Sequence, residues 1–298
     1  MSNLLAHFIA DLRHPIAYPD FDEGRWFQWR SVPMIELSAL DTYQFVQSML
    51  PHPAQTILEV GCGNGYLSLE LARDGHEVLG IDVSPDIIEV AERSSAAHPQ
   101  PSGFGSLRYL CADVNTWQAP EASFDCVIFN RTFHHLSALQ QTMAQVQRLL
   151  KQGGKIICQD YAYDHFTEQT ACWLYQMQRL LFLSGRYDAD PAMLPDETAS
   201  IEALRTAWLT RAAEHQLNRY DEMMSALHGT FHEHFFAWVP YLFVYIGNGI
   251  RRAAPGQERE LLTFLKRMEQ YLIDHKAMQA VGFRFVGPVS RKLLSAAR

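Results

Sequence analysis

Residues 54–86 read AQTILEVGCGNGYLSLELARDGHEVLGIDVSPD, and this stretch decides the fold. Thr56 to Val60 are apolar or β-branched except for Glu59, the pattern of a buried parallel strand. Glycines at 61, 63 and 65 follow at once. Tyr66, Leu67, Leu69, Leu71 and Ala72 then open a short helix that Asp74 and Gly75 close. A second buried strand, Glu77 to Ile81, ends in Asp82. A strand, a glycine loop, a helix and a strand tipped by an acid form a unit suited to an adenosine-containing ligand.

Downstream, the alternation continues. Ser84 before Pro85 is a helix start, leading into Ile87, Ile88, Val90 and Ala91. Strands are expected at Leu107–Cys111, Phe124–Phe129 and Lys155–Gln159. Between the last two, Leu139, Met143, Val146 and Leu150 mark one face of a helix ended by Gly153 and Gly154. Such alternation implies an α/β, doubly wound, mostly parallel sheet with right-handed crossovers. From Asp160 the pattern turns helical, with stripes such as Phe166, Thr170, Trp173, Met177 and Leu181. This is far longer than an ordinary connection, so residues 161–279 read as a helical cap inserted between strands five and six. Residues 280–298 complete the sheet, with Phe283–Val286 as the sixth strand. Residues 1–53 form an N-terminal helical and aromatic lid segment, and 54–160 the ligand-binding core.

Composition narrows the partners. The chain has 298 residues, 48% hydrophobic and 19% charged, as expected of a globular protein. A net charge of −8 disfavours nucleic acid as partner. The five cysteines make no CxxC pattern and read as small apolar residues in a reducing compartment. No basic segment followed by an apolar run opens the chain, and the most apolar run, Phe235–Gly247, is short and contains Pro240. A cytoplasmic protein with no membrane partner is expected; the oligomeric state is not legible.

The glycine spacing is G-x-G-x-G, with Tyr66 where a dinucleotide loop needs a small residue. ILEVGCGNG resembles motif I of class I S-adenosylmethionine-dependent methyltransferases, particularly the small-molecule branch called type 11. The later runs CADVNTW, FDCVIFNRTFHHL and RLLKQGGKIICQDY resemble further landmarks of that family, in order. The resemblance implies S-adenosylmethionine as cofactor, S-adenosylhomocysteine as product, and a seventh strand antiparallel between the fifth and sixth, which is not evident here. It implies that Asp82 takes the ribose hydroxyls and Asp113 the adenine amino group, with Glu59 and Gly61 near the methionine portion. Cys62, Gly63, Gly65, Val83, Val114 and Asn130 complete the implied cofactor set.

A methyl transfer to a hydroxyl or protonated amine gains from a base, and imidazole suits that role. His134 and His135 follow the fourth strand, and His165 follows the fifth, where the family places substrate. Tyr18, Trp26, Trp29, Tyr161, Tyr163 and Trp173 are the candidate substrate contacts, which suggests a small, fairly hydrophobic acceptor methylated at oxygen or nitrogen. His228, His232, Glu233 and His234 lack a separated further ligand, so no metal is expected. The rival readings are a non-catalytic S-adenosylmethionine-binding or scaffold protein and a nicotinamide-dependent oxidoreductase.

Overall fold

A computed structural model describes residues 31–51, 54–96, 100, 102–187, 196–250 and 255–289. Seven strands form one sheet: β1 Thr56–Val60, β2 Glu77–Asp82, β3 Ser106–Cys111, β4 Phe124–Asn130, β5 Leu150–Tyr161, β6 Phe235–Val239 and β7 Gly282–Pro288. Their order is β3-β2-β1-β4-β5-β7-β6. β1 to β5 pair in parallel, whereas β7 is antiparallel to both β5 and β6. The order reverses at β1, so a crevice opens beyond the carboxyl ends of β1 and β4.

Alternation along the strands separates two cores. Leu58, Val60, Val127, Phe129, Ile156 and Cys158 face helices α5 (Leu139–Leu149) and α8 (Tyr220–Thr230). Ile57, Val78, Cys126, Ile128 and Ile157 face the other way, onto α3 (Tyr66–Arg73) and a long N-terminal helical run. That run comprises α1 (Val32–Ile35), a π-helical segment (Glu36–Leu40) and α2 (Asp41–Met49). Helix α4 (Pro85–Ala96) connects β2 to β3. A third apolar cluster joins α6 (Glu168–Leu183), α9 (Leu242–Asn248) and α10 (Pro255–Asp274) to Met34 of α1. Helix α7 (Glu197–Glu214) adds Trp208 to its margin.

Four expectations require correction. The stretch 161–279 is not all helical, because β6 lies within it, and Phe283–Val286 belongs to the seventh strand rather than the sixth. Phe235 pairs with Val286 and Val239 with Gly282; Pro240, which lacks an N–H, follows the strand before α9 begins. One apolar run therefore holds a strand and a helix, which periodicity alone does not separate. The helical material forms two insertions on either side of β6, and α8 packs on the sheet rather than in the third cluster. The seventh strand that the family resemblance implied is present. Cys111, read from the sequence as a small apolar residue at the end of a strand, is exposed because β3 is the sheet edge. Among the described residues no helix is long and apolar enough to cross a membrane.

Candidate functional site

β1 ends at the crevice, and the glycine loop turns there against β2. Gly61 and Cys62 both donate backbone N–H to the Ile81 carbonyl, at 2.7 and 3.0 Å. Gly63 and Gly65 have φ of +55° and +78°, a region that suits glycine. A Cβ on Gly65 would lie 2.3 Å from the Tyr109 hydroxyl, whereas one on Gly63 would meet nothing within 4 Å. Gly65 is thus fixed by packing, whereas among the described residues nothing covers the Cα of Gly63.

Asp82 is held from both sides. The Gly63 N–H donates to Oδ2 at 3.2 Å and the Ser84 N–H to Oδ1 at 3.0 Å. Each oxygen retains acceptor capacity for a diol. Val83, next along, is 69% exposed and offers an apolar surface at the strand tip. Asp113 is exposed and accepts the Asn115 N–H at 2.9 Å, while Val114 beside it is buried. Asn130 donates to the Tyr66 hydroxyl at 3.0 Å, and among the described residues its buried Oδ1 has no partner. Cys62 is buried, which pushes its thiol well above the usual range. Glu59 is 1% exposed; burial pushes its carboxyl up to about 8, against the opposing hydrogen bond from Ser68. The set fits an adenosine ligand with a polar tail: a diol at Asp82, a heterocycle over Val83 and a donor for Asn130 Oδ1.

The tips of β4 and β5 are joined by a buried carboxylate. Asp160 accepts the N–H groups of Phe133 at 2.6 Å, His134 at 3.3 Å and Tyr161 at 2.7 Å, and pairs with His134 Nδ1. The His134 ring lies 5.5 Å from that of Tyr161 and 5.2 Å from that of Tyr163. His135 is exposed, its ring 4.1 Å from that of His134. His165 is separated from this group: a 3₁₀ turn, Tyr163–His165, leads its ring to Tyr220 and Trp238, at 4.5 and 5.3 Å. Burial lowers its pKa. Trp173 packs against the small cluster of Ile273, Met278 and Ala280 and does not line the cavity described next. Tyr18, Trp26 and Trp29 lie outside the described residues. His228 pairs with Glu233 at 2.9 Å on the surface, and among the described residues no group of three His, Cys, Asp or Glu could hold a metal.

A cavity of about 110 Å³ lies beyond the ends of β4, β5 and β6, walled by Arg131, Tyr161, Tyr241 and Phe243 among others. Leu37 and Ser38 of the π-helical segment border it, a local geometry frequent at functional sites. Asp41 bridges Lys266 at 3.0 Å and Arg284 at 2.5 Å. Burial opposes ionisation of Asp41, but these two cations hold its carboxyl below the usual range. The Tyr241 ring lies tilted against Tyr161 with centroids 3.9 Å apart. Arg131 and Tyr241 were not among the residues singled out from sequence. The one available signal was a charge, Arg131, directly after an apolar strand.

Residues 58–158 match the family model described as a methyltransferase domain. A malonyl-(acyl-carrier protein) O-methyltransferase of Anoxybacillus flavithermus is 33% identical over 129 residues, covering 42% of this chain and 46% of that protein. A demethylmenaquinone methyltransferase of Symbiobacterium thermophilum is 28% identical over 139 residues, covering 45% of this chain and 49% of that protein. The matches thus span about half the length of these curated relatives. The fold is similar to that of geranyl diphosphate C-methyltransferase from Streptomyces coelicolor, solved with Mg²⁺, geranyl diphosphate and S-adenosyl-L-homocysteine. That likeness has a TM-score of 0.54 at 13% identity and covers 93% of this chain and 88% of that one.

Proposed function

We propose that this chain, a class I S-adenosylmethionine-dependent methyltransferase through its residues 58–158, moves a methyl group to an oxygen or nitrogen of a small, fairly hydrophobic molecule. One observation carries the reading: the Gly63 N–H and the Asp82 carboxylate meet at the carboxyl ends of β1 and β2, and an aromatic cavity lies beyond the ends of β4 and β5 on the same edge of the sheet. The cofactor, when bound, supplies a methyl group already activated on a sulfonium sulfur.

Asp82 holds the ribose, Val83 packs on the adenine with Asp113 at its edge, and Glu59, Gly61 and Asn130 orient the methionine end. The protein's main contribution is then alignment and exclusion of water, which supplies about 7–11 kcal/mol of barrier reduction in well-oriented systems. His134, 2% exposed behind the cavity wall at Asp160 and Tyr161, is the base in this reading. Asp160 fixes its Nδ1, leaving Nε2 as the basic nitrogen, and Tyr161 and Tyr163 hold the ring. His135 and His165 have no catalytic part here. The acceptor is a small molecule rather than nucleic acid or a membrane component, and the protein works in the cytoplasm.

A tritiated-methyl donor incubated with the chain and a small-molecule extract tests the reading. A labelled organic-soluble product is expected. If no label transfers from any fraction while S-adenosylhomocysteine still binds, a non-catalytic binding protein is the better description.

A further inference from the structure

Three cations border the cavity, and two are matched. Asp41 holds both Lys266 and Arg284, and the other bordering carboxylate, Asp160, is filled by His134 and three backbone N–H groups. Arg131 is the third. Among the described residues no carboxylate pairs with it, and its buried Nε has no acceptor. Its guanidinium lies 5.7 Å from the Tyr161 ring centroid, and Tyr241 lines the same cavity. Arg131 is half-buried, and a guanidinium whose Nε is shut away from both water and an acceptor is unfavourable. It also stands on a backbone with φ of +58°, which long side chains avoid, held there by a 2.8 Å bond from its N–H to the Gln159 carbonyl. Unmatched charge and local strain together point to a ligand that supplies what is missing.

From this geometry we infer that Arg131 seats a carboxylate of the methyl acceptor, so that the acceptor is an organic acid with an apolar or aromatic body. The inference rests on the methyltransferase reading and adds the substrate class. Arginine's planar fork takes both oxygens of a carboxylate, and Tyr161, Tyr241 and Phe243 offer surface for the body of the molecule. The cofactor's own methionine carboxylate is the other possible source of the anion. The glycine loop, Asp82 and Asp113 lie outside the cavity walls, which favours the acceptor; the Thr132 hydroxyl, one residue on, bonds the Gly61 carbonyl at 3.2 Å, so the titration must separate the two sources.

Calorimetric titration with 3-phenylpropanoate and with its neutral amide, under saturating S-adenosylhomocysteine, tests the inference. The native chain should bind the acid about tenfold or more tightly than the amide, the scale of one charge-assisted hydrogen bond. R131Q should erase that preference and R131K should retain part of it, with S-adenosylhomocysteine affinity within about twofold of native in both, since neither changes a wall of the cofactor site. Equal binding of acid and amide, an acid preference that survives R131Q, or no binding of either by a chain that binds S-adenosylhomocysteine would overturn it. Loss of S-adenosylhomocysteine affinity in R131Q would also overturn it, by assigning the guanidinium to the cofactor. A native chain that binds no S-adenosylhomocysteine would instead refute the underlying methyltransferase reading.

Discussion

The backbone N–H of Gly63 donates to Oδ2 of Asp82 at 3.2 Å, so one carboxylate ties the glycine loop to the tip of β2. Loop and acid therefore form a single unit, and the three glycines in it are not equivalent.

Gly63→Ala and Gly65→Ala should part company. At Gly63 an added methyl meets no atom, so the variant should fold with a loss of about 1–2 kcal/mol from the left-handed backbone. Its affinity for S-adenosylhomocysteine should fall because the methyl occupies the ligand's approach. At Gly65 the methyl collides with Tyr109, and global stability should drop further. Thermal unfolding beside calorimetry reads both; equal stability losses would contradict the division.

Turnover should separate the histidines. His134→Ala should slow methyl transfer by about 10²–10⁴-fold if His134 is the base, while S-adenosylhomocysteine affinity holds. Asp160→Asn should lower both turnover and stability, because Asp160 is buried and carries four hydrogen bonds. His165→Ala, by contrast, should leave kcat/KM within about twofold, as its ring packs on Tyr220 and Trp238. A slow His165→Ala enzyme with unchanged stability would reverse the assignment.

Glu59 makes stability depend on pH. Burial raises its carboxyl from the ordinary 4.5 to about 8 in the folded chain. Between those values the unfolded chain has released a proton that the folded chain keeps, so stability falls as pH rises and levels off above about 8. Glu59→Gln has no such proton. Urea unfolding of both chains without ligand should show the variant gaining on the native protein from pH 5 to pH 8.5, and a constant gap would mean that Glu59 is ionised throughout.

Glu269 is a second buried acid with a structural task. Its oxygens accept the N–H groups of Tyr241, Leu242 and Phe243 at 2.7, 2.9 and 2.8 Å, capping α9 beside the cavity. Glu269→Ala would leave three buried donors unmatched, at about 1–3 kcal/mol each. A loss of at least about 3 kcal/mol in denaturant unfolding is expected; a loss under about 1 kcal/mol would show that water or a neighbour replaces the carboxylate.

Most of the sheet was legible because β1, β2, β4 and β5 are buried on both faces and therefore read as apolar runs. β6 was not, because Phe235–Val239 continues into the apolar helix α9 and is identified as a strand only by pairing with β7, more than forty residues later. The joining of the glycine loop to Asp82 was legible for a related reason, since the residues that make it lie close together in the chain. Arg131 was not legible as a site residue. Its meaning depends on Tyr161 and Tyr241, which arrive from β5 and from the start of α9. His165 was misplaced because a single 3₁₀ turn after Tyr163 sends its ring to a different neighbourhood.

The most direct measurement is calorimetric titration of the native chain and of Asp82→Ala with S-adenosylhomocysteine, with NAD as the control ligand. Binding to the native chain that weakens at least tenfold in the variant, with no NAD binding, is the expected result, on the scale of a charge-assisted hydrogen bond to a diol. Undiminished affinity in Asp82→Ala, or NAD binding in place of S-adenosylhomocysteine, would contradict the assignment of this loop as a methyl-donor site.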